Sequence, residues 1–175
     1  RIARASNCKA LAINYRKAPE NPYPAAIEDA VAVYRQMLAE GCENIIIMGD
    51  SAGGGLTLAL LQKIRELQLT PATGSVLLSP WTDLTASGDS IKTKKDADPL
   101  ITPYLLEIFT KRYVANADPK CPLISPLFAD FSDFPPTLIQ VGTNEILLDD
   151  STRLAQKMHK QGVKVQLEIY NNMMH

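Results

Sequence analysis

Several marks of particular protein classes are missing from this sequence of 175 residues. Its 18 basic and 19 acidic residues leave a net charge of -1, so we expect neither a cationic face for nucleic acid nor an acidic tail. No apolar stretch approaches the length of a membrane span, and the first residues lack the plan of a signal peptide. These absences favour small, uncharged partners over nucleic acid or a membrane.

The cysteine pattern is also sparse. Cys8, Cys42 and Cys121 are odd in number, far apart and free of any Cys-x-x-Cys spacing. This argues against a disulfide framework and against a zinc site, and it makes a reducing, cytoplasmic compartment our expectation. The length and apolar content predict a single domain with a substantial core.

Short apolar runs alternate with helical periodicities along the chain. We predict strands at residues 9–14, 44–48, 75–79, 137–141 and 163–169, and helices at 1–6, 25–39, 52–67, 103–113 and 149–161. This alternation predicts an α/β fold with a mainly parallel sheet and helices on both faces. Residues 80–136 are less regular, and we interpret them as an excursion away from the sheet.

The most informative segment is Gly-Asp-Ser-Ala-Gly-Gly-Gly at residues 49–55. A Gly-x-Ser-x-Gly sequence between a strand and a helix is typical of the nucleophile elbow of an α/β-hydrolase, a strained turn that exposes a serine hydroxyl. We predict Ser51 as nucleophile and the Ala52 N–H as an oxyanion donor at the helix start, with Gly49 and Gly53 leaving room. We expect Asp50 to hydrogen-bond neighbouring backbone.

Two structures other than a nucleophile elbow can carry a glycine-rich segment of this kind. An ordinary glycine-rich turn could carry the same five residues by chance, but the flanking strand and helix lower that chance. A phosphate-binding loop would also lie between a strand and a helix. Neither Gly-x-Gly-x-x-Gly nor Gly-Lys-Ser/Thr is present, which argues against nucleotide binding.

A serine hydroxyl needs an adjacent base, and the sequence contains only two histidines. His159 falls in a predicted surface helix. His175 follows the predicted strand 163–169, and loops at the carboxyl ends of parallel strands gather the active residues of open α/β sheets. We therefore predict His175 as the base.

The third member of such a set is a carboxylate that orients the histidine, and it should lie between the serine and the histidine, just beyond a strand end. Glu145 follows the strand 137–141 most closely and is the first candidate, with Asp149 as the second. Asp149 and Asp150 also precede a helical run, where an acidic side chain caps free N–H groups. Helix capping is their alternative role.

Further motifs occur in an order found in one known family. They are Tyr-Arg-Lys-Ala-Pro-Glu at 15–20, Tyr-Pro-Ala-Ala at 23–26, Ser-Pro-Trp-Thr-Asp-Leu at 79–84, Asp-Pro-Leu at 98–100 and Ser-Pro-Leu at 125–127. With the elbow, they make the whole chain resemble the bacterial hormone-sensitive-lipase-like group of α/β-hydrolases. The resemblance implies hydrolysis of carboxylic esters, and it aligns residues 145–150 with the family's acid segment and residues 173–175 with its histidine segment.

The resemblance also implies two segments that this sequence does not match. One is a His-Gly-Gly-Gly element upstream of residues 9–14, and the other is a final helix beyond the histidine. We therefore expect residues 1–175 to be a partial α/β-hydrolase catalytic domain, truncated at both ends. Such a part would lack one oxyanion donor and the catalytic power that comes with it.

The predicted reaction is ester hydrolysis through an acyl-enzyme on a triad of Ser51, His175 and Glu145, and it requires no metal or cofactor. The expected partner is a small-molecule ester, and a homodimer is left open. Two alternatives also stay open: a non-catalytic ligand-binding homologue, and amide or carbamate hydrolysis on the same triad. The candidates for an acyl pocket are two aromatic residues, Trp81 and Tyr104.

Overall fold

A four-stranded parallel sheet lies at the centre of the computed structural model, which describes residues 2–175. The strands pair in chain order: β1 (Ile46–Asp50), β2 (Gly74–Leu78), β3 (Thr137–Gly142) and β4 (Val165–Tyr170). Because every pairing is parallel, the four carboxyl ends lie at one edge of the sheet. The parallel α/β prediction is confirmed, and all predicted strands but the first match observed ones.

Two helices of the described residues precede β1, and the others lie between the strands. Their bounds are α1 (Ile2–Ser6), α2 (Ala25–Ala39), α3 (Ala52–Glu66), α4 (Ser90–Thr93), α5 (Pro103–Val114) and α6 (Leu148–Lys160), with a 3-10 turn at Pro126–Phe128. The start of α5 has a local cause, because Thr102 accepts a hydrogen bond from the Leu105 N–H and proline occupies the first helical position. Of the predicted helix 1–6, Arg1 lies outside the described residues.

One face of the sheet packs against the main apolar core. Leu77, Ile139 and Leu167 are neighbours across β2, β3 and β4, and all of them contact this core. The helices α2, α3 and α6 supply its other side through buried residues such as Tyr34, Leu58 and Met158, respectively. Each large apolar side chain buried in this way contributes about 1.5–3 kcal/mol.

The opposite face of the sheet differs from the expectation of helices on both faces. Ile46 is 61% exposed and Met48 is 39% exposed, while Val76, Leu78 and Leu138 are only half-buried. These side chains belong to neither apolar cluster of the described residues. The helices that pack on the sheet in residues 2–175 therefore lie on one face, because their apolar residues join a single core.

Residues 9–14 were predicted as a buried strand, and this prediction is wrong for the described chain. They form no strand, and their side chains are mostly exposed, with Leu11 at 64%. Only Ile13 packs against the core. An apolar run becomes a strand when its backbone groups find a partner, and the described sheet ends at β1, which pairs only with β2.

Residues 80–136 leave the sheet after β2 and return to it at β3. They carry α4, α5 and the 3-10 turn. Apolar residues between positions 81 and 124 form a second, smaller cluster with Ile146 and Leu147, which come from the loop after β3. Leu127, Phe131 and Phe134 join the main core instead. The first part of the excursion therefore packs over the carboxyl edge of the sheet. No helix in residues 2–175 is long and apolar enough to cross a membrane.

Candidate active site

Ser51 lies in the tight turn between β1 and α3. Its backbone angles, φ 51° and ψ -119°, fall in a region that costs a non-glycine residue about 1–3 kcal/mol. Backbone hydrogen bonds hold the turn: the Ser51 N–H donates to the Leu78 carbonyl at 2.8 Å, and the Ser51 carbonyl accepts from the N–H groups of Gly54 and Trp81. The end of β2 and the chain that follows it thus hold Ser51 in its strained conformation.

Glycine is sterically required at Gly49 but not at Gly53. A Cβ atom on Gly49 would overlap the backbone of Gly53, whereas a Cβ atom on Gly53 would meet nothing within 4 Å. The prediction that both glycines leave room is correct for Gly49 and wrong for Gly53. A second crowded position is Gly55, where a Cβ atom would meet the Trp81 carbonyl oxygen. Close approach of α3 to the chain after β2 explains that glycine.

The Ala52 N–H is the first amide of α3, and the first four N–H groups of a helix have no acceptor within the helix. Ser51 and Ala52 both line one cavity. A helix N-terminus favours negative charge, so a ligand oxygen beside Ser51 would meet a favourable field.

The cavity beside Ser51 has a volume of about 340 Å³. Its apolar wall consists of Leu56, Trp81, Leu84, Ile101, Leu106, Phe109, Tyr113 and Ile124. Arg16, Lys17 and Arg112 add positive charge to the lining. Of the two aromatic residues predicted for an acyl pocket, Trp81 lines this cavity, whereas Tyr104 is 70% exposed and does not. A larger groove of about 760 Å³ along α2 contains none of the predicted catalytic residues.

Glu145 and His175 form a hydrogen-bonded pair, with 2.8 Å between Glu145 Oε2 and His175 Nδ1. Glu145 is fully buried, and its other oxygen, Oε1, accepts from the Gly142 N–H at 2.6 Å and from the Ser79 hydroxyl at 2.8 Å. A buried carboxylate is costly unless its oxygens are hydrogen-bonded, and here both of them are. The carboxylate therefore has one orientation, and it faces the imidazole.

The surroundings of His175 favour its charged form. The hydrogen bond to Glu145 raises the pKa of His175 above its ordinary value of 6.5, burial opposes this, and the negative charges of Glu145, Asp98 and Asp50 add to the rise. A raised pKa makes the imidazole a stronger proton acceptor. The stability that this pair contributes is fully present below pH 6.5 and is lost as the pH rises through the raised pKa.

The loop that carries His175 is tied to the loop after β3. Three hydrogen bonds join the two loops. The Thr143 N–H donates to the Tyr170 carbonyl at 3.0 Å, and the Asn144 N–H donates to the Met173 carbonyl at 2.9 Å. The Asn172 N–H donates to Thr143 Oγ1 at 2.9 Å. Gly142 permits this closure, because a Cβ atom there would overlap the Met173 carbonyl and crowd the Glu145 carboxylate. The two loops are therefore positioned as one unit.

The structure brings Glu145 and His175 together and places Ser51 at the same edge of the sheet, at the end of β1. Among residues 2–175 the Ser51 hydroxyl forms no hydrogen bond with the His175 ring or with any other group. In ligand-free sites such bonds are often long and tighten only when substrate binds. The Asp50 carboxylate, expected to bond neighbouring backbone, likewise has no hydrogen bond within the described chain.

The other candidate residues lie elsewhere. His159 is exposed in the last turn of α6. Asp149 accepts a hydrogen bond from the Ser90 N–H of α4, and the buried Asp150 accepts two backbone N–H groups from the segment after β2. Neither side chain caps α6, so the capping role predicted for them is wrong. Burial raises the pKa of Asp150 to about 7.

Sequence reasoning missed two residues that hold Glu145. Ser79 donates its hydroxyl to the carboxylate, and Gly142 donates its N–H and leaves room for the histidine loop. Each had a signal, because Ser79 follows the last residue of β2 and Gly142 is the last residue of β3. Both positions lie at the same edge of the sheet as the predicted acid.

Comparisons with known proteins agree with the fold. A sequence profile of a family described as alpha/beta hydrolase fold matches residues 1–175. An acetyl-hydrolase of Streptomyces hygroscopicus is 42% identical over 173 residues, which are 98% of this chain and 58% of the relative. An esterase of Acinetobacter venetianus is 38% identical over 175 residues, again 98% of this chain and 58% of the relative.

A solved structure of an esterase from the bacterial hormone-sensitive lipase (HSL) family is similar to this chain, with a TM-score of 0.98 and 42% sequence identity. The match covers 99% of this chain and 59% of that one. The chain thus spans 58% of the length of the two curated relatives.

Proposed function

The chain belongs to the α/β-hydrolase fold family, within its hormone-sensitive-lipase-like group, and on that premise we propose that it carries the catalytic residues of a carboxylic-ester hydrolase. Ser51 is the nucleophile, His175 the base and Glu145 the acid that orients the base. The observation that supports this most directly is the buried Glu145–His175 hydrogen bond at the sheet edge where the strained Ser51 turn also lies. Two relatives bear the names acetyl-hydrolase and esterase, which supports the same reaction.

The reaction follows the acyl-enzyme route. His175 takes the proton of the Ser51 hydroxyl as the serine oxygen attacks the ester carbonyl carbon, and the carbonyl oxygen becomes an oxyanion. The bond to the alcohol then breaks, and the alcohol leaves with the proton held by His175. Water attacks the acyl-serine ester with His175 again as base, which releases the acid and restores the serine hydroxyl.

Two further groups assist these steps. Glu145 accepts from Nδ1 of His175, which leaves Nε2 free to receive the serine proton and stabilises the imidazolium that forms. The Ala52 N–H, at the start of α3, supports the oxyanion. One such donor supplies about 2.7–4 kcal/mol of transition-state stabilisation.

The substrate class follows from the cavity beside the nucleophile. Its volume of about 340 Å³ and its mainly apolar wall suit a small-molecule ester whose acyl or alcohol group is apolar. Free cysteines at positions 8, 42 and 121 support the proposal of a reducing, cytoplasmic compartment.

The test compares Ser51→Ala with Ser132→Ala in the natural protein that carries this chain. Ser132 is an exposed serine whose hydroxyl bonds Asp130, away from the cavity. We expect Ser51→Ala to lower p-nitrophenyl ester turnover by at least about 10⁴-fold and to abolish labelling by a fluorophosphonate, whereas Ser132→Ala keeps both. Near-parental turnover by Ser51→Ala would contradict the proposal. Ligand binding without turnover or labelling in the unmodified protein would favour a non-catalytic homologue.

A further inference from the structure

Asp98 is a buried carboxylate in the loop between α4 and α5, and the reaction described above assigns it no role. It is 4% exposed. Its Oδ1 accepts from the N–H groups of Leu100 and Ile101, both at 3.0 Å, so this oxygen stabilises the turn of the loop that carries it. Its Oδ2 is turned to another part of the chain and accepts from the Ile146 N–H at 3.1 Å.

The Ile146 amide belongs to the peptide that directly follows Glu145. Glu145 is therefore held from both sides, by the Gly142 N–H on its carboxylate and by Asp98 on the next peptide. Ile146 is itself fully buried, and its carbonyl accepts from the Ser90 hydroxyl. A shift of this peptide would move the Glu145 carboxylate relative to the imidazole.

Asp98 also bears on His175 through its charge. The negative charges of Glu145, Asp98 and Asp50 each raise the pKa of His175. All three favour the imidazolium. Asp98 alone among them also holds the peptide after the acid.

We propose that Asp98 is a positioning residue for the Glu145–His175 pair: it fixes the Ile146 peptide, and its buried negative charge favours the imidazolium. The inference rests on the proposed function. Two separate effects follow. Misplacing the carboxylate should slow the chemical step, and removing its charge should make the imidazole easier to deprotonate.

The test measures kcat and kcat/KM against pH for Asp98→Asn in the natural protein that carries this chain. Asparagine keeps the shape of aspartate, removes the charge and cannot accept with both oxygen positions. We expect kcat to fall about 10-fold and the acid limb of kcat/KM to move to lower pH by about 0.3–1 unit.

Asp83→Asn is the matched control. Asp83 is equally buried and accepts from the N–H groups of Thr85 and Ser87, a local pattern like that of Asp98. Its carboxylate also pairs with Arg153, and it holds no peptide next to Glu145. A merely structural role for Asp98 would make both variants less stable to urea and leave both acid limbs in place. That outcome would overturn the proposal.

Asp98→Glu separates the two effects and serves if Asp98→Asn does not fold. It keeps the charge and misplaces the carboxylate, so kcat should fall while the acid limb stays within about 0.3 pH unit of its original position. Unchanged kcat in this variant would overturn the positioning role. In the unmodified protein the Ile146 amide should exchange with deuterium at least about 100-fold more slowly than an exposed amide, and fast exchange would overturn the contact.

Failure of this inference can be told apart from failure of the proposed function. If Ser51→Ala keeps its activity, the function is wrong whatever Asp98 does. If Ser51→Ala is inactive and Asp98→Asn behaves as the unmodified protein, only the role of Asp98 is wrong.

Discussion

Ser51 and His175, the proposed nucleophile and base, are held in place by different means. In the nucleophile half, the turn from β1 to α3 that carries Ser51, backbone geometry alone sets the position: a strained φ, hydrogen bonds to β2 and a glycine at position 49. In the acid–base half, the loops after β3 and β4, the buried Glu145 carboxylate accepts from Gly142 and Ser79 and pairs with His175, while Asp98 holds the next peptide.

The difference separates two kinds of sensitivity. A residue positioned by backbone packing is displaced by added side-chain volume, but its position does not depend on a titratable group. A position set by a buried carboxylate and an imidazole responds to charge and to pH. Substitutions in each half therefore test this difference in sensitivity.

The largest effect is expected for Glu145→Gln in the acid–base half. Loss of the charge that orients and stabilises the imidazolium should lower kcat by about 10³–10⁴-fold, equivalent to about 4–5.5 kcal/mol of barrier. The pKa of His175, raised chiefly by this carboxylate, should fall, so the acid limb of kcat/KM should move to lower pH. Steady-state kinetics from pH 5 to pH 9 check both effects, with the exposed Glu66→Gln as control. A loss below 10-fold would contradict the comparison.

The next effect belongs to the nucleophile half and concerns volume alone. Gly49→Ala should lower the free energy of unfolding by about 2–3 kcal/mol, because the new Cβ atom would overlap the Gly53 backbone. Gly53→Ala is the matched control and should leave stability unchanged or raise it by up to about 1 kcal/mol, since its Cβ atom has open space in a helix. Urea unfolding measures both. Equal effects of the two substitutions would show that the elbow is not set by close approach at Gly49.

The smallest effect is expected for Ser79→Ala, which removes one of two donors to Glu145 Oε1 and leaves the Gly142 N–H in place. A hydrogen bond of this kind is worth about 1 kcal/mol net, so kcat/KM should fall roughly fivefold. Ester turnover measures the change, with Ser132→Ala as reference. A loss above 100-fold would mean that the carboxylate depends on one side chain rather than on a network.

The two halves also differ in how far the sequence predicted them. The nucleophile half is local: the glycine at 49, the serine at 51 and the start of α3 fall within four residues, and the elbow pattern predicted its turn. The error at Gly53 has a plain cause. The pattern says that space is scarce near the serine, but which glycine faces the crowding depends on how α3 packs.

The acid–base half was predicted only in outline. The order of strands placed Glu145 and His175 at one edge. The contacts that hold Glu145 are long-range, however: Ser79 is 66 positions from Glu145, and Asp98 is 48 positions from Ile146. No local pattern encodes such pairs. The predicted strand at 9–14 failed for a related reason, since a short apolar run indicates burial but does not specify the neighbouring strand that would pair with it.

In the described sheet, β1 leads to Ser51 and β4 leads to His175, with β2 and β3 between them, whereas β3, which leads to Glu145, pairs directly with β4. Three strand pairings therefore span the gap between the serine and the imidazole, and one spans the gap between the carboxylate and the imidazole. Sheets twist from strand to strand, so a change in twist should alter the first distance more than the second.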